Sequence, residues 1–335
     1  MSAEIPRRPP LDVEALAADV LRGDRAALGR AITLVESNRD AHWPAAQALV
    51  AALLPHTGKA VRVGISGVPG VGKSTFIEAF GSRLTAQGHR VAVLAIDPSS
   101  SVSGGSILGD KTRMARLARD PAAFVRPSPS SGSLGGVTRK TRESILVCEA
   151  AAFDVILVET VGVGQNETVV ADMVDTFLVL MLTGAGDELQ GIKRGIVEMA
   201  DILAVNKADG ANAQRAEAAA RSTERALRLL PPRPGAWRPP VLTCSAIEGH
   251  GLDRLWDEVV RHRERLEEKG ELDRLRARQR GHWMWSLIDH ALHHRLRTSP
   301  RAAAVLDEVE QSVLDGGTPP SDAARRVVDA LFGQE

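Results

Sequence analysis

The residues Gly67-Val68-Pro69-Gly70-Val71-Gly72-Lys73-Ser74, followed by Thr75, carry the G-x-x-x-x-G-K-S spacing of a phosphate-binding loop. Glycines at its turns let successive backbone N–H groups curl around a phosphate without Cβ clashes. The Lys73 ammonium can reach β- and γ-phosphates, and the Ser74 hydroxyl can serve Mg²⁺. Residues 61–66 read as a buried strand before the loop. Residues 75–80 open a helix after it, whose N-terminal dipole adds to the anion site. The pattern predicts a bound nucleoside triphosphate.

Two more groups bear on that ligand. An apolar run ends in Glu159-Thr160-Val161-Gly162-Val163-Gly164-Gln165. An acid at a strand end, with glycine three residues on, is where nucleotide hydrolases keep the Mg²⁺-side acid and a loop that senses the γ-phosphate. Here the acid is Glu rather than Asp, and its longer side chain could reach an attacking water or hold it through the metal shell. Asn206-Lys207-Ala208-Asp209 matches N-K-x-D. Its aspartate can accept from both the ring N–H and the exocyclic amine of guanine. Adenine offers no such pair, and comparable sites reject the wrong partner by roughly 10⁴. Lys207 can lie along the base, Asn206 can tie neighbouring loops together, and Ser245-Ala246 stand at the next strand end. Guanine is expected over adenine.

These residues need a scaffold that brings strand ends together. Strands are predicted over 61–66, 91–96, 153–159, 176–182, 202–206 and 241–245, with 124–126 as a further short one. Apolar on both faces and separated by helical stretches, they indicate an α/β fold with a mainly parallel sheet covered on both sides. Ligands on such sheets lie at the carboxyl ends of the strands. At one such end stands Asp97, followed by a Gly/Ser-rich segment, residues 103–109, and Asp110. A second such segment spans residues 128–136. Beside the phosphate loop, both are expected to be mobile active-site segments rather than plain linkers.

Helical spacing marks residues 13–21, 25–36 and 44–54, with Asp24 as an N-cap, so residues 1–58 form an N-terminal helical extension. The nucleotide core is expected over 59–266. Residues 267–335 form a C-terminal helical arm, with helices over 272–296 and 302–314 and a last one capped by Ser321. Met284, Ile288, Ala291, Leu292 and Leu296 make an apolar stripe, and helices without a sheet of their own suggest self-association. Arg274, Arg276, Arg278 and Arg280 spread around the helix as a solvated face. His290, His293 and His294 lack a carboxylate or Cys at ligand spacing and are not expected to hold a metal.

Composition narrows the classes. Lys plus Arg and Asp plus Glu are both 42, a formal net charge of zero, which disfavours nucleic acid as a partner. Cys148 and Cys244, far apart and without C-x-x-C spacing, suggest buried thiols in a reducing compartment. No apolar run reaches membrane length, and no apolar region follows Arg7 and Arg8. A cytoplasmic protein without a membrane partner is expected.

Taken together, residues 31–37, 67–75, 97–100, 104–114, 159–165, 184–193 and 206–209 resemble the methylmalonyl-CoA mutase-associated GTPases, the MeaB/ArgK type of P-loop GTPase. The resemblance implies a homodimeric GTP hydrolase, dimerising through its helical arm. It also implies a chaperone for an adenosylcobalamin-dependent acyl-CoA mutase, gating cofactor loading with GTP and Mg²⁺. An adenosyltransferase is a further expected partner, and cobalamin itself is not expected to bind this chain. Carried over residue by residue, Lys73 and Ser74 serve phosphate and metal, and Asp97 and Asp110 lie on the Mg²⁺ side. Glu159 acts on water, directly or through the metal shell. Gly162, Gln165, Asp187, Gln190 and Lys193 belong to switch loops. Two rival functions share the fold class: a nickel-inserting metallochaperone GTPase and a transport-linked protein kinase.

Overall fold

Among the described residues, runs rich in Val, Ile and Leu form seven strands: β1 (Val61–Gly67), β2 (Val91–Asp97), β3 (Ala123–Pro129), β4 (Val155–Glu159), β5 (Thr176–Met181), β6 (Ile202–Val205) and β7 (Val241–Thr243). The computed structural model describes residues 11–97, 114–129, 134–160, 166–183, 194–228 and 237–333. All seven strands pair in parallel, in the order β3-β2-β4-β1-β5-β6-β7. With β1 in mid-sheet, β2, β3 and β4 lie on one side, β4 inserted next to β1, and β5, β6 and β7 follow outward on the other. A parallel sheet whose strand order reverses beside β1 offers a ligand crevice at the carboxyl ends of its strands.

The strand expected over 124–126 is longer, seven residues running through Pro127 and Pro129. Proline removes a ladder donor, which an edge strand tolerates, and β3 pairs only with β2. The segment 128–136 is correspondingly shorter than expected, because its ends belong to β3 and to helix α5 (Leu134–Ala150).

Side chains alternate between two cores. Val155 and Leu157 of β4 enter one, Ile156 and Val158 the other. Helices α4 (Lys73–Ala86) and α9 (Leu252–Glu268) cover the first face with Phe76, Ile77, Phe80, Leu255, Trp256 and Val259. The opposite face takes α1 (Val13–Leu21), α2 (Arg25–Val35), α3 (Trp43–Leu53), α5, α6 (Asn166–Ala171), α7 (Arg194–Met199) and α8 (Ala213–Leu227). Helix α6 sits close to β1 because Gly64 lacks a side chain. A Cβ there would stand 2.9 Å from Val170 and 3.0 Å from Phe177 and Val174.

The N-terminal helices start at side-chain caps: Asp12 accepts from Ala15 N at 2.9 Å and Asp24 from Ala27 N at 2.6 Å. Their contact with α5 is polar as well as apolar. Residues Arg139, Lys140, Thr141, Arg142, Glu143 and Ser144 are all buried. Arg139 pairs with Glu143 at 3.3 Å, donates to Ser37 O at 3.3 Å and stands 4.8 Å over the Trp43 ring. Gln47 donates to Glu143 at 3.2 Å, and Arg126 pairs with Glu36.

Helix α10 (Glu271–Thr298) begins at the opposite end of the sheet from the crevice. Arg276 is buried there, contrary to the solvated face expected from its spacing. It binds both Asp175 oxygens at 2.8 and 2.7 Å and donates to Ala60 O at 2.8 Å and to Gly58 O. The spacing could not reveal an acid 101 positions away in sequence.

The chain divides into two compact units, one ending at Gln279 and the other beginning at Arg280. The second holds the rest of α10 with α11 (Pro300–Leu314) and α12 (Pro320–Phe332). Val309, Ala323 and Val327 form its small core, with Leu296 packed against them. Ser321 is not the cap of α12. Pro319 occupies that position without a side-chain bond, and Pro320 presets the first helical φ. Met284, Trp285, Ile288 and Leu292 are exposed on α10. No helix among the described residues is long and apolar enough to cross a membrane.

Burial pushes the Glu143 carboxyl up to about 7 from an ordinary value of 4.5, against the opposing pull of Arg139 and Gln47. Between those values the folded chain keeps a proton that the unfolded chain has released, so stability falls as pH rises through the window. Glu143→Gln stays neutral throughout. In urea denaturation the variant should gain roughly 2–3 kcal/mol on wild type between pH 5 and pH 8. A difference independent of pH would contradict this.

Candidate functional site

Strand β1 delivers the chain into the loop 67–74 at mid-sheet. The turn cannot be made by a residue with a side chain at its first position. Gly67 has φ 152°, and a Cβ there would lie 2.6 Å from Leu180 O. Gly72 caps α4 at φ 90°, with its missing Cβ only 3.2 Å from Asn206 Nδ2. The backbone N–H groups of this loop and of the first turn of α4 form the anion-binding end of a helix.

Lys73, the first residue of α4, turns back over the loop and donates to Gly67 O at 2.8 Å and to Val68 O at 3.4 Å. Burial lowers its pKa, while the carboxylates of Glu159 and Glu167 act in the opposite direction. Ser74 Oγ donates to Glu159 Oε1 at 3.2 Å. Glu159 ends β4, next to β1, and is buried. A hydroxyl and a carboxylate that meet beside the loop are hard oxygen donors, the type that suits Mg²⁺.

The second half of the site lies beyond β6 and β7. Asn206 is 1% exposed and fastens two loops. Its Nδ2 donates to Val71 O at 2.9 Å, while its Oδ1 accepts from Ala246 N at 3.4 Å and from Cys244 Sγ at 3.6 Å. Lys207 adopts φ 60°, unusual for a residue with a side chain, and its Nζ donates to Gly70 O at 2.8 Å. Asp209 Oδ2 accepts from Ser245 Oγ at 2.6 Å. Residues 135 and 137 positions apart in sequence thus meet along one edge of the crevice.

Among the expected site residues, 67–75, Glu159, Asn206, Lys207, Asp209, Ser245 and Ala246 are brought together. Asp97 ends β2 at the same edge of the sheet, and its side chain lies outside the described residues. Asp110, Gly162, Gln165, Asp187, Gln190 and Lys193 lie outside them altogether. Glu167 falls outside the motifs of the sequence. It is buried in the first turn of α6, and its charge acts on Lys73. An acid two residues past Gln165 was the available signal. Both thiols are buried, which pushes Cys244 up to about 12 and Cys148 above its ordinary range. Among the described residues no group of three His, Cys, Asp or Glu is arranged to hold a metal ion.

Asn206→Ala would strip partners from Val71 O and Ala246 N, one of them on each loop. The expected loss is about 1–3 kcal/mol in chemical denaturation. Unchanged stability would show that these bonds do not hold the loops.

Comparison with known proteins agrees with this geometry. The family described as methylmalonyl Co-A mutase-associated GTPase MeaB matches residues 28–301. A Caulobacter vibrioides protein named as a GTPase is 55% identical over 325 residues, 97% of this chain and 99% of its own. The mouse methylmalonic aciduria type A homolog is 47% identical, over 95% of this chain and 79% of its own. The crystal structure of a LAO/AO transport system kinase superposes with a TM-score of 0.76 at 35% identity, covering 97% of this chain and 99% of that one. With its phosphate loop, parallel sheet and this match over most of its length, the chain belongs to the MeaB family of GTPases.

Proposed function

We propose that this GTPase is a G-protein chaperone of an adenosylcobalamin-dependent acyl-CoA mutase, acting as a cytoplasmic homodimer that gates cofactor loading. One observation carries the proposal: a phosphate loop and an N-K-x-D group that meet at one edge of the sheet, in a chain matched over residues 28–301 by a mutase-associated family. The mouse relative's methylmalonic aciduria name fits the same client, methylmalonyl-CoA mutase. Support for self-association comes from Met284, Trp285, Ile288 and Leu292, large apolar side chains exposed along α10.

The chemistry follows from the site. An entering triphosphate gives Lys73 a stronger acceptor than the Gly67 and Val68 carbonyls, and the ammonium turns to the β- and γ-phosphates. Loop amides take the charge that builds on the β–γ bridging oxygen. Glu159 orients the attacking water, whose oxygen bonds to the γ-phosphorus as the bond to the β-phosphate oxygen breaks. GDP and inorganic phosphate result. Magnesium, when bound, neutralises charge on the phosphates; Ser74 and Glu159 would hold it, with Asp97 and Asp110 as further acids. Asp209 reads guanine, while Lys207 lies along the base and Ser245 keeps the carboxylate in place. The loops carrying Gly162, Gln165, Asp187, Gln190 and Lys193 report the nucleotide state to the mutase.

A second function has one observation in its favour, the transport-kinase name of the 35% identical structure. It predicts transfer of label from γ-labelled GTP to protein, whereas the chaperone releases free phosphate.

Two outcomes test the proposal. Asp209→Asn presents an amide donor to the base, so GTP affinity should fall by about 10²–10³-fold while xanthosine triphosphate gains. Unchanged GTP affinity removes the base assignment. With Lys73 and Lys193 as the cations expected at the γ-phosphate, hydrolysis should be slow alone and rise at least about tenfold in complex with the cognate mutase. Steady-state phosphate release with and without purified mutase measures this, and a rate unaffected by the mutase counts against the client.

A further inference from the structure

Ser66 precedes the phosphate loop and Thr160 follows Glu159 within the 159–165 stretch, neither with a role assigned so far, and their hydroxyls meet in the interior. Both residues are 0% exposed. Thr160 Oγ1 donates to Ser66 Oγ at 2.9 Å, and the Thr160 N–H donates to Ile65 O at 3.0 Å. Valine would fill the same space as threonine with no polar group to satisfy. A buried hydroxyl pair costs desolvation that its mutual bond must offset, so packing alone does not explain it.

Its position gives it a consequence. Ser66 immediately precedes Gly67, and Thr160 immediately follows Glu159. At the far end of the loop, Ser74 Oγ donates to Glu159 Oε1 at 3.2 Å. The phosphate loop is therefore tied to the end of β4 twice, at its entrance through Ser66–Thr160 and at its exit through Ser74–Glu159. Little slack exists at the entrance, where the Gly67 backbone is pressed against Leu180 O.

From this geometry we infer that Ser66 and Thr160 are positioning residues for GTP hydrolysis, holding the Glu159 carboxylate in register with the phosphate loop through their shared hydroxyl bond. The inference rests on the role proposed above for Glu159. The nucleotide contacts proposed above include neither hydroxyl. Ground-state binding is spread over the loop amides, Lys73 and the base edge, and tolerates a small shift of β4. In-line attack by water does not, because a misplacement of about 1 Å can cost two orders of magnitude in rate. The loss belongs in kcat rather than in affinity.

The test uses the full chain, with single-turnover GTP hydrolysis and GTP affinity measured for Thr160→Val, Thr160→Ser, Ser66→Ala, the Ser66→Ala/Thr160→Val double variant and Glu159→Gln. Thr160→Val should slow hydrolysis about tenfold with affinity within about twofold of wild type. Thr160→Ser, which keeps the hydroxyl, should recover most of the rate, and the double variant should be no slower than the slower single one. Wild-type hydrolysis in Thr160→Val, or losses that multiply in the double variant, overturns the inference. So does an affinity loss as large as the rate loss. Should Thr160→Val fail to fold, Ser66→Ala carries the comparison, with the same tenfold expectation and the same contrary results. A slow Glu159→Gln beside a fast Thr160→Val removes this inference alone. A Glu159→Gln as fast as wild type removes the role of Glu159 and the inference together.

Discussion

An ammonium and a carboxylate share a partly dry crevice in this protein, and neither is at ease there without an opposite charge. Burial works against the Lys73 cation, and Glu159 and Glu167 work for it. The same Glu159 is reached by Ser74, and the Lys73 ammonium leans on two loop carbonyls. A surface of amide donors and a lysine beside acids is balanced by a polyanion accompanied by a hard cation. Everything else in the first unit fixes these charges in place.

The sheet does most of that work. Parallel pairing brings the ends of β1, β4, β6 and β7 to one edge, so a loop, an acid and a base-reading aspartate from distant sequence share a crevice. Two glycines permit close approaches around β1: Gly64 admits α6 against β1, and Gly67 turns the chain against Leu180. At the other end of the sheet, Arg276 joins α10 to Asp175 and to the carbonyls ahead of β1. The N-terminal helices close the outer face of α5 over buried charge. The Arg139–Glu143 pair lies within α5 and contributes little net stability itself; its members meet the extension through Ser37 O, the Trp43 ring and Gln47.

What the sequence made legible was what is contiguous. The phosphate loop, the acid after β4 and the N-K-x-D group are short strings whose chemistry needs only local spacing. The strands announced themselves because burial on both faces leaves no polar alternation. Partners far apart in sequence stayed hidden. Thr160 met Ser66 across 94 positions and Arg276 met Asp175 across 101. Arg276 looked solvated because a single helix pattern shows spacing, not which side meets the sheet. The prolines concealed most of β3, since they argue against a strand unless it is at an edge. Gly135 and Gly136 concealed the start of α5, whose place is set by tertiary packing rather than by propensity.

Membership of the MeaB family fixes the reaction as GTP hydrolysis, and the proposed client gives that reaction a purpose: a timed signal rather than a metabolic product. Such a signal depends first on the crevice choosing one nucleotide. Isothermal titration calorimetry of the full chain with GTP and ATP in the presence of Mg²⁺ tests this most directly. GTP should bind at least about 100-fold more tightly than ATP, because adenine leaves the Asp209 carboxylate without its paired donors. Equal affinity for the two nucleotides, or binding of neither, would contradict the account.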